Sequence, residues 1–168
     1  MSEQKSVIYI VDGYPPKPYD AATIRTESTG GTMADVVILA ETLARRGHHP
    51  YVLQHAPPDP YSGDAHYLSV ERGPTLPRPD AAIYVRGHWL IRSGHLSPPT
   101  IRRRSPQCRF FYWPHVTFPQ PFRTRWGHVY GRWTRKKRRA LGTLLEQHAV
   151  GVVSVSRFHA ETIRAEWP

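Results

Sequence analysis

The residues best placed to do chemistry are a glycine pair, Gly30-Gly31, set just ahead of a helical stretch. A helix start offers unpaired backbone amides and the positive end of the helix dipole, and glycine lets a ligand approach both. The chemistry this suits is the binding of a phosphate. The bland alternative is a simple turn. Two familiar phosphate loops are absent, since neither G-x-G-x-x-G nor G-x-x-x-x-G-K-[ST] occurs. The ten histidines show no paired metal spacing such as H-E-x-x-H, and no cysteine joins them, so no metal is expected. Three further sets of residues follow strand-like runs. His115 comes directly after Arg109 to Trp113 and Pro114, Arg86 and His88 after Ala81 to Val85, and Ser156 and Arg157 after Val150 to Val155. A strand-end histidine is ordinarily a loop residue satisfied by backbone. Arg86 with His88 also reads as a solvated surface pair, and Ser156 as a plain helix cap.

The elements that must position these residues can be read from periodicity. Met33, Val36, Val37, Ala40, Leu43 and Ala44 recur at helical spacing and give one apolar face. Thr32 can cap this helix, with Asp35 three residues on. Arg45 and Arg46 suit its last turn, and Gly47 a left-handed stop. Tyr51 to Leu53 then starts a strand. Val7 to Val11 is the first strand, ending at Asp12, and a long proline-bearing loop runs from Gly13 to Gly31. Such loops inside compact domains are usually functional.

Further along, residues 56–80 are irregular around a short strand, His66 to Val70. Ile91 to Arg104 is ambiguous, with Pro98 and Pro99 breaking any long helix. Pro119 to Gly131 is aromatic and basic. Arg132 to His148 reads as a helix, with Trp133, Leu141, Leu144 and Leu145 on one face and Arg135, Lys136, Arg138 and Arg139 crowding its start. Ser156 opens a final helix that includes Phe158, Ala160 and Ile163. Strands alternating with helices imply an α/β fold with a mostly parallel sheet flanked by helices.

The chain has 168 residues, 39% hydrophobic and 21% charged, which fits one domain with a real core. No apolar run nears the ~20 residues of a membrane helix. The run Val7 to Val11 is too short for a secretory segment. The lone Cys108 excludes an internal disulfide and sits in an apolar run, as a core thiol does. A cytoplasmic location is the expectation. Charge is uneven: residues 1–84 carry 7 Lys/Arg and 10 Asp/Glu, while residues 85–168 carry 16 and 3. The basic half should face something anionic.

Several segments together resemble the N-terminal half of retaining GT-B glycosyltransferases of the family 4 type. They are VIYIVDG, then STGGTMADVVILAETLARRGHHPYVL, then RFFYWPHVTF, and last GVVSVSRFHAETI, in that order. The resemblance covers most of the chain. It implies a single Rossmann-like domain over residues 1–168, without the donor-binding second domain that such enzymes carry. It implies transfer of a sugar from a nucleotide-diphosphate sugar to a hydroxyl acceptor, with neither a metal nor a permanently bound cofactor. Gly30, Gly31 and Ser156 would then lie on the donor side. His115 would face the transferring sugar, and Arg86, His88 and Arg157 would contact substrate. The chain alone would be inactive, and its partner would be a donor domain in cis or as a separate chain.

Family members that act on lipid-linked acceptors dock on anionic membranes through a face like that of the helix near Trp133 to Leu145, apolar with a dense cationic start, which makes the inner face of the membrane an expected peripheral location; the alternatives are a solvated helix face and a soluble anionic acceptor such as a phosphosugar. A nucleic-acid module is a competing reading, because Phe122, Trp126, Tyr130 and Trp133 interleave with arginine. No nucleic-acid motif supports it. A nicotinamide-dependent oxidoreductase would need a fingerprint after strand one and an acidic residue ending strand two. The chain has Gln54 and His55 there.

Overall fold

The computed structural model describes residues 5–12, 15, 17–85, 94–114, 142–154, 156, 160 and 161. Six strands form one sheet: β1 (Val7–Val11), β2 (His49–Gln54), β3 (His66–Ser69), β4 (Ala81–Val85), β5 (Arg109–Trp113) and β6 (Ala149–Val152). Their order is β3-β2-β1-β4-β5-β6, and every pairing is parallel. The order reverses between β1 and β4, the switch point of a doubly wound sheet. The chain is an α/β domain of Rossmann-like type.

The two faces of the sheet follow from strand alternation. On β1, Ile8 and Ile10 turn to one face and Tyr9 and Val11 to the other. Helix α1 (Thr23–Thr26) is a single turn, and α2 (Gly31–Arg45) is the long helix between β1 and β2. Met33, Val36, Val37 and Ala40 of α2 pack on Ile8, Ile10, Val52 and Val85. Met33, Val36 and Val37 each contribute about 1.5–3 kcal/mol by leaving water, and Ala40 less. The other face is covered by α3 (Pro98–Arg104) and by the helical residues 142–148. There Leu96, Ile101, Leu144 and Leu145 meet Tyr9, Tyr84, Phe110 and Tyr112.

Tyrosine is the dominant large residue of this core. Tyr9, Tyr19, Tyr67, Tyr84 and Tyr112 are all fully buried. A buried hydroxyl needs a partner, and the backbone supplies two of them. Tyr9 donates to the Pro77 carbonyl at 2.7 Å, and Tyr84 to the Leu96 carbonyl at 2.7 Å. Burial holds the phenols of Tyr67, Tyr84 and Tyr112 above their usual range, and Tyr67 is pushed further by the Glu41 carboxylate.

Several expectations need correction in detail. Thr32 does not cap α2: the helix begins at Gly31, with Gly30 as an N-cap that brings no side chain. The long loop after β1 contains the turn α1, whose start Asp20 caps by accepting from the Ala22 and Thr23 amides at 3.0 and 2.9 Å. β2 starts two residues early, at His49, because a proline near the start of a strand forfeits little. As expected, no long helix crosses Pro98 and Pro99; they open the short helix α3, since the first helical positions need no amide donor. The strand expected over Val150 to Val155 covers Ala149–Val152. Gly47 does take the left-handed conformation, at φ 84°.

Cys108 is buried, 3% exposed. Burial, with Asp80 adding to it and Arg102 opposing, pushes its thiol up to about 12. The native thiol should therefore resist a disulfide reagent at mildly alkaline pH, and become fully reactive in denaturing guanidinium. Fast native labelling in an Ellman assay would contradict this placement.

Candidate functional site

The carboxyl ends of all six strands gather at one rim, where open α/β sheets bind ligands. Asp12, at the tip of β1, is completely buried and donates its amide to the Leu53 carbonyl at 3.0 Å. Its carboxylate accepts from the Tyr19 hydroxyl at 2.8 Å. Gln54, at the tip of β2, is also completely buried. Its amide oxygen accepts from the Tyr19 amide at 3.2 Å, and its nitrogen donates to the Tyr19 carbonyl at 2.7 Å. These contacts clamp the loop after β1 onto the rim.

Asp20 extends the clamp sideways. Its second oxygen accepts from the Ser62 amide at 2.7 Å, and Ala21 donates to the Ser62 carbonyl at 3.2 Å. Burial alone would raise the Asp20 pKa. Hydrogen bonds from Thr23, Ser62 and Ala22 outweigh it and hold the carboxyl below 3.8. Glu41, on α2, closes the same layer. It accepts from the Asp64 amide at 2.9 Å, the Ala65 amide at 3.3 Å and the Tyr67 hydroxyl at 2.9 Å. Gly63 passes beside it at φ 132°, and a Cβ there would collide with the Glu41 carboxylate and lie 3.0 Å from Ala21 Cβ.

At the rim stands the start of α2. Gly30 is extended, at φ −65° and ψ 148°, a conformation open to any residue. A Cβ on Gly30 would meet only the Met33 methyl at 3.9 Å, and one on Gly31 nothing within 4 Å. Neither glycine is required by packing or by φ. The Gly30 carbonyl already takes the Met33 and Ala34 amides, at 2.9 and 3.3 Å. The amides of Gly31 and Thr32 have no partner among the described residues, and the first turn has no acidic side chain. Two donors, a dipole and open space therefore face solvent at the rim. Chemically, such a helix start is able to accept an anion.

Beside α2 runs an open groove of about 490 Å³, lined by Asp35, Ile38, Leu39, Thr42, Trp113, Val153 and Ser154. It joins the flank of the helix to the tips of β5 and β6.

Of the residues singled out from sequence, Gly30 and Gly31 sit at this rim, and Ser156 lies exposed just past β6, its carbonyl accepting from the Ala160 amide at 3.0 Å. Arg86, His88, His115 and Arg157 lie outside the described residues. Trp113 pairs in register with Val85, so the strands preceding Arg86 and His115 end level with each other. Sequence reasoning missed Tyr19, Asp20, Glu41 and the binding role of Gln54. Only Gln54 carried a signal, as a polar residue ending a buried strand. Among the described residues no group of three or more His, Cys, Asp or Glu could hold a metal ion, and no helix is long and apolar enough to cross a membrane. Comparison with known proteins finds no matching family model and no matching curated protein.

Two outcomes test this construction. Gly63→Ala should destabilise the fold by about 1–3 kcal/mol, read as a lower denaturant midpoint. An unchanged midpoint would mean that Glu41 does not occupy that space. Asp20 has a folded pKa below its unfolded one, so its contribution is complete above about 4. It is lost as the pH falls through the lower, folded value. Asp20→Asn should accordingly flatten the acid limb of a stability–pH curve, and a limb of unaltered steepness would contradict the assignment.

Proposed function

We propose that this chain is the N-terminal, acceptor-side half of a retaining GT-B glycosyltransferase. It would move a sugar from a nucleotide-diphosphate donor to a hydroxyl acceptor. The observation that carries the reading is the pair of unpartnered amides at Gly31 and Thr32, set beside the β1–β4 switch point. Neither a crowded neighbour nor a positive φ requires glycine at position 30 or 31. In the proposed site these amides lie beneath the donor phosphate and sugar, and Ser156 flanks the donor side. Bringing the developing charge of the leaving diphosphate against fixed dipoles is worth more than the same contacts in water.

The remaining roles follow the family resemblance. His115 faces the transferring sugar, hydrogen-bonding it or stabilising positive charge through its carbonyl. Arg86, His88 and Arg157 hold substrate. Attack and departure take place on the same face of the sugar. The grip on the donor's nucleotide comes from a second domain, in the same polypeptide or a separate one, so the 168-residue chain is inactive by itself. A nicotinamide-binding role is disfavoured. That chemistry uses an acidic residue at the tip of β2 for a ribose hydroxyl. Here Gln54 stands at that tip, with both ends of its amide spent on Tyr19.

The test uses the chain joined, in cis or in trans, to a donor-binding domain encoded beside it. Release of nucleoside diphosphate is measured over a panel of nucleotide sugars. Transfer should appear only with both parts present, and Gly31→Val should lower kcat by about tenfold or more with the thermal midpoint unchanged. Turnover by the isolated chain, or full activity of the Gly31 variant, would refute the proposal.

A further inference from the structure

The start of β6 is held from the side by the end of α3. Arg102 stands in the last turn of α3, and His148 is the residue just before β6. Both pack on one ring. The guanidinium carbon of Arg102 lies 5.2 Å from the centre of Phe110, and the His148 ring lies 6.4 Å from it, edge-on at 73°. Arg102 Nη2 also donates to the His148 carbonyl at 3.5 Å, a long contact. Two buried atoms of this pair have no hydrogen-bond partner among the described residues. They are Arg102 Nε, which can only donate, and His148 Nδ1, which accepts when it carries no proton. Buried polar atoms in folded proteins are almost always paired, with protein or with ordered water. Beside His148 lies a small cavity of about 10 Å³, with Tyr84, Phe110, Leu144, Leu145 and Ala149 among its walls. That is room for the centre of about one water.

The chemistry of the two nitrogens selects what fits between them. An Nε–H and a bare Nδ1 call for a molecule that accepts once and donates once, which is water. An anion would need both nitrogens to donate, and therefore a proton on Nδ1. Among the described residues the charged group facing His148 is Arg102, from α3, and no carboxylate pairs with the ring. Glu146, on the same helical turn, is exposed. From β5 the ring meets Phe110. From β4 the cavity is walled by Tyr84, whose hydroxyl is spent on the Leu96 carbonyl at 2.7 Å. Burial, with the Arg102 charge adding to it, holds the His148 imidazole below 6.5. In neutral buffer the ring is therefore uncharged and able to accept.

We infer that Arg102 and His148 share one internal water, and that this bridge fastens the start of β6 until His148 takes up a proton. A protonated Nδ1 donates instead of accepting. The bridge then loses its acceptor and gains a second cation beside the Arg102 guanidinium. Because His148 binds a proton less readily in the fold than in the open chain, the latch is complete above about 6.5 and weakens as the pH falls below that value. β6 lies at one edge of the sheet, and Ser156 lies just past it. Mild acid therefore loosens this edge before it disturbs the central strands. The latch is independent of the transferase reading, and its test involves no transfer.

The experiment is nuclear magnetic resonance on the isotope-labelled full chain. Long-range correlation spectra should show His148 as the tautomer with a bare Nδ1, titrating at lower pH than a histidine in an unfolded peptide. Magnetisation transfer should place a long-lived water at the Arg102 Nε–H. Amide protection of β6, and of Val153, which donates to the Tyr112 carbonyl at 2.8 Å, should fall severalfold between neutral buffer and mild acid once the intrinsic exchange rate is allowed for, with β1 unaffected. His148→Asn offers an acceptor that takes no proton, and should abolish that loss. Arg102→Lys keeps the charge but removes the Nε–H, and should lower β6 protection already in neutral buffer. Circular dichroism checks that each variant folds, and the tautomer, titration and water signals of the unaltered chain decide the matter if one does not. A proton on Nδ1 in neutral buffer, or a titration at or above the unfolded value, overturns the inference. A chloride-dependent shift of that nitrogen assigns the site to an anion instead. Protection of β6 that ignores the acid step, or that falls equally in His148→Asn, overturns the latch.

Discussion

One buried amide holds the rest in place. The connection from β1 to α2 is long, and fixing it costs entropy that its own sparse contacts could not offset. Parallel pairing sets the tips of β1 and β2 side by side, so Gln54 can reach the backbone of Tyr19 and use both ends of its side chain there. Asp12 takes the phenol of the same tyrosine. Removing Gln54 would break both hydrogen bonds to the Tyr19 backbone, each worth about 0.5–1.5 kcal/mol. With Tyr19 fixed, Asp20 can grip both α1 and Ser62, and the chain arrives at Gly30 from a defined direction. The geometry of the rim descends from that clasp.

The sheet was legible in sequence because its strands are short apolar runs closed by polar or turn residues. Val7–Val11, Ala81–Val85 and Arg109–Trp113 have the expected bounds. The strand order was not legible, since it is fixed by pairing between segments far apart in the chain. Helix α2 was visible from its period, but its first residue was not. Threonine and glycine cap about equally well, so propensity could not separate Thr32 from the observed N-cap, Gly30. Glu41 was hidden for a related reason. A carboxylate on the apolar face of a helix reads as a surface residue until the Asp64 and Ala65 amides and the Tyr67 hydroxyl are known to meet it.

The glycine pair illustrates how a structure can sharpen a weak motif. Gly47, Gly63, Gly73 and Gly94 answer to a positive φ or to a crowded neighbour, and Gly63 answers to both. Gly30 and Gly31 answer to neither, and glycine is a favourable N-cap in its own right.

The tyrosine core has an optical consequence. Tyr9, Tyr67, Tyr84 and Tyr112 all hold their protons more tightly in the folded chain than in the open one. Their share of stability is intact below about 10 and drains away as the solution is made more alkaline than that. In strong base the dry phenols would keep their colourless form until the sheet parts. Their phenolate absorbance would then rise together, so the molecule carries a built-in gauge of its own integrity that needs no added dye.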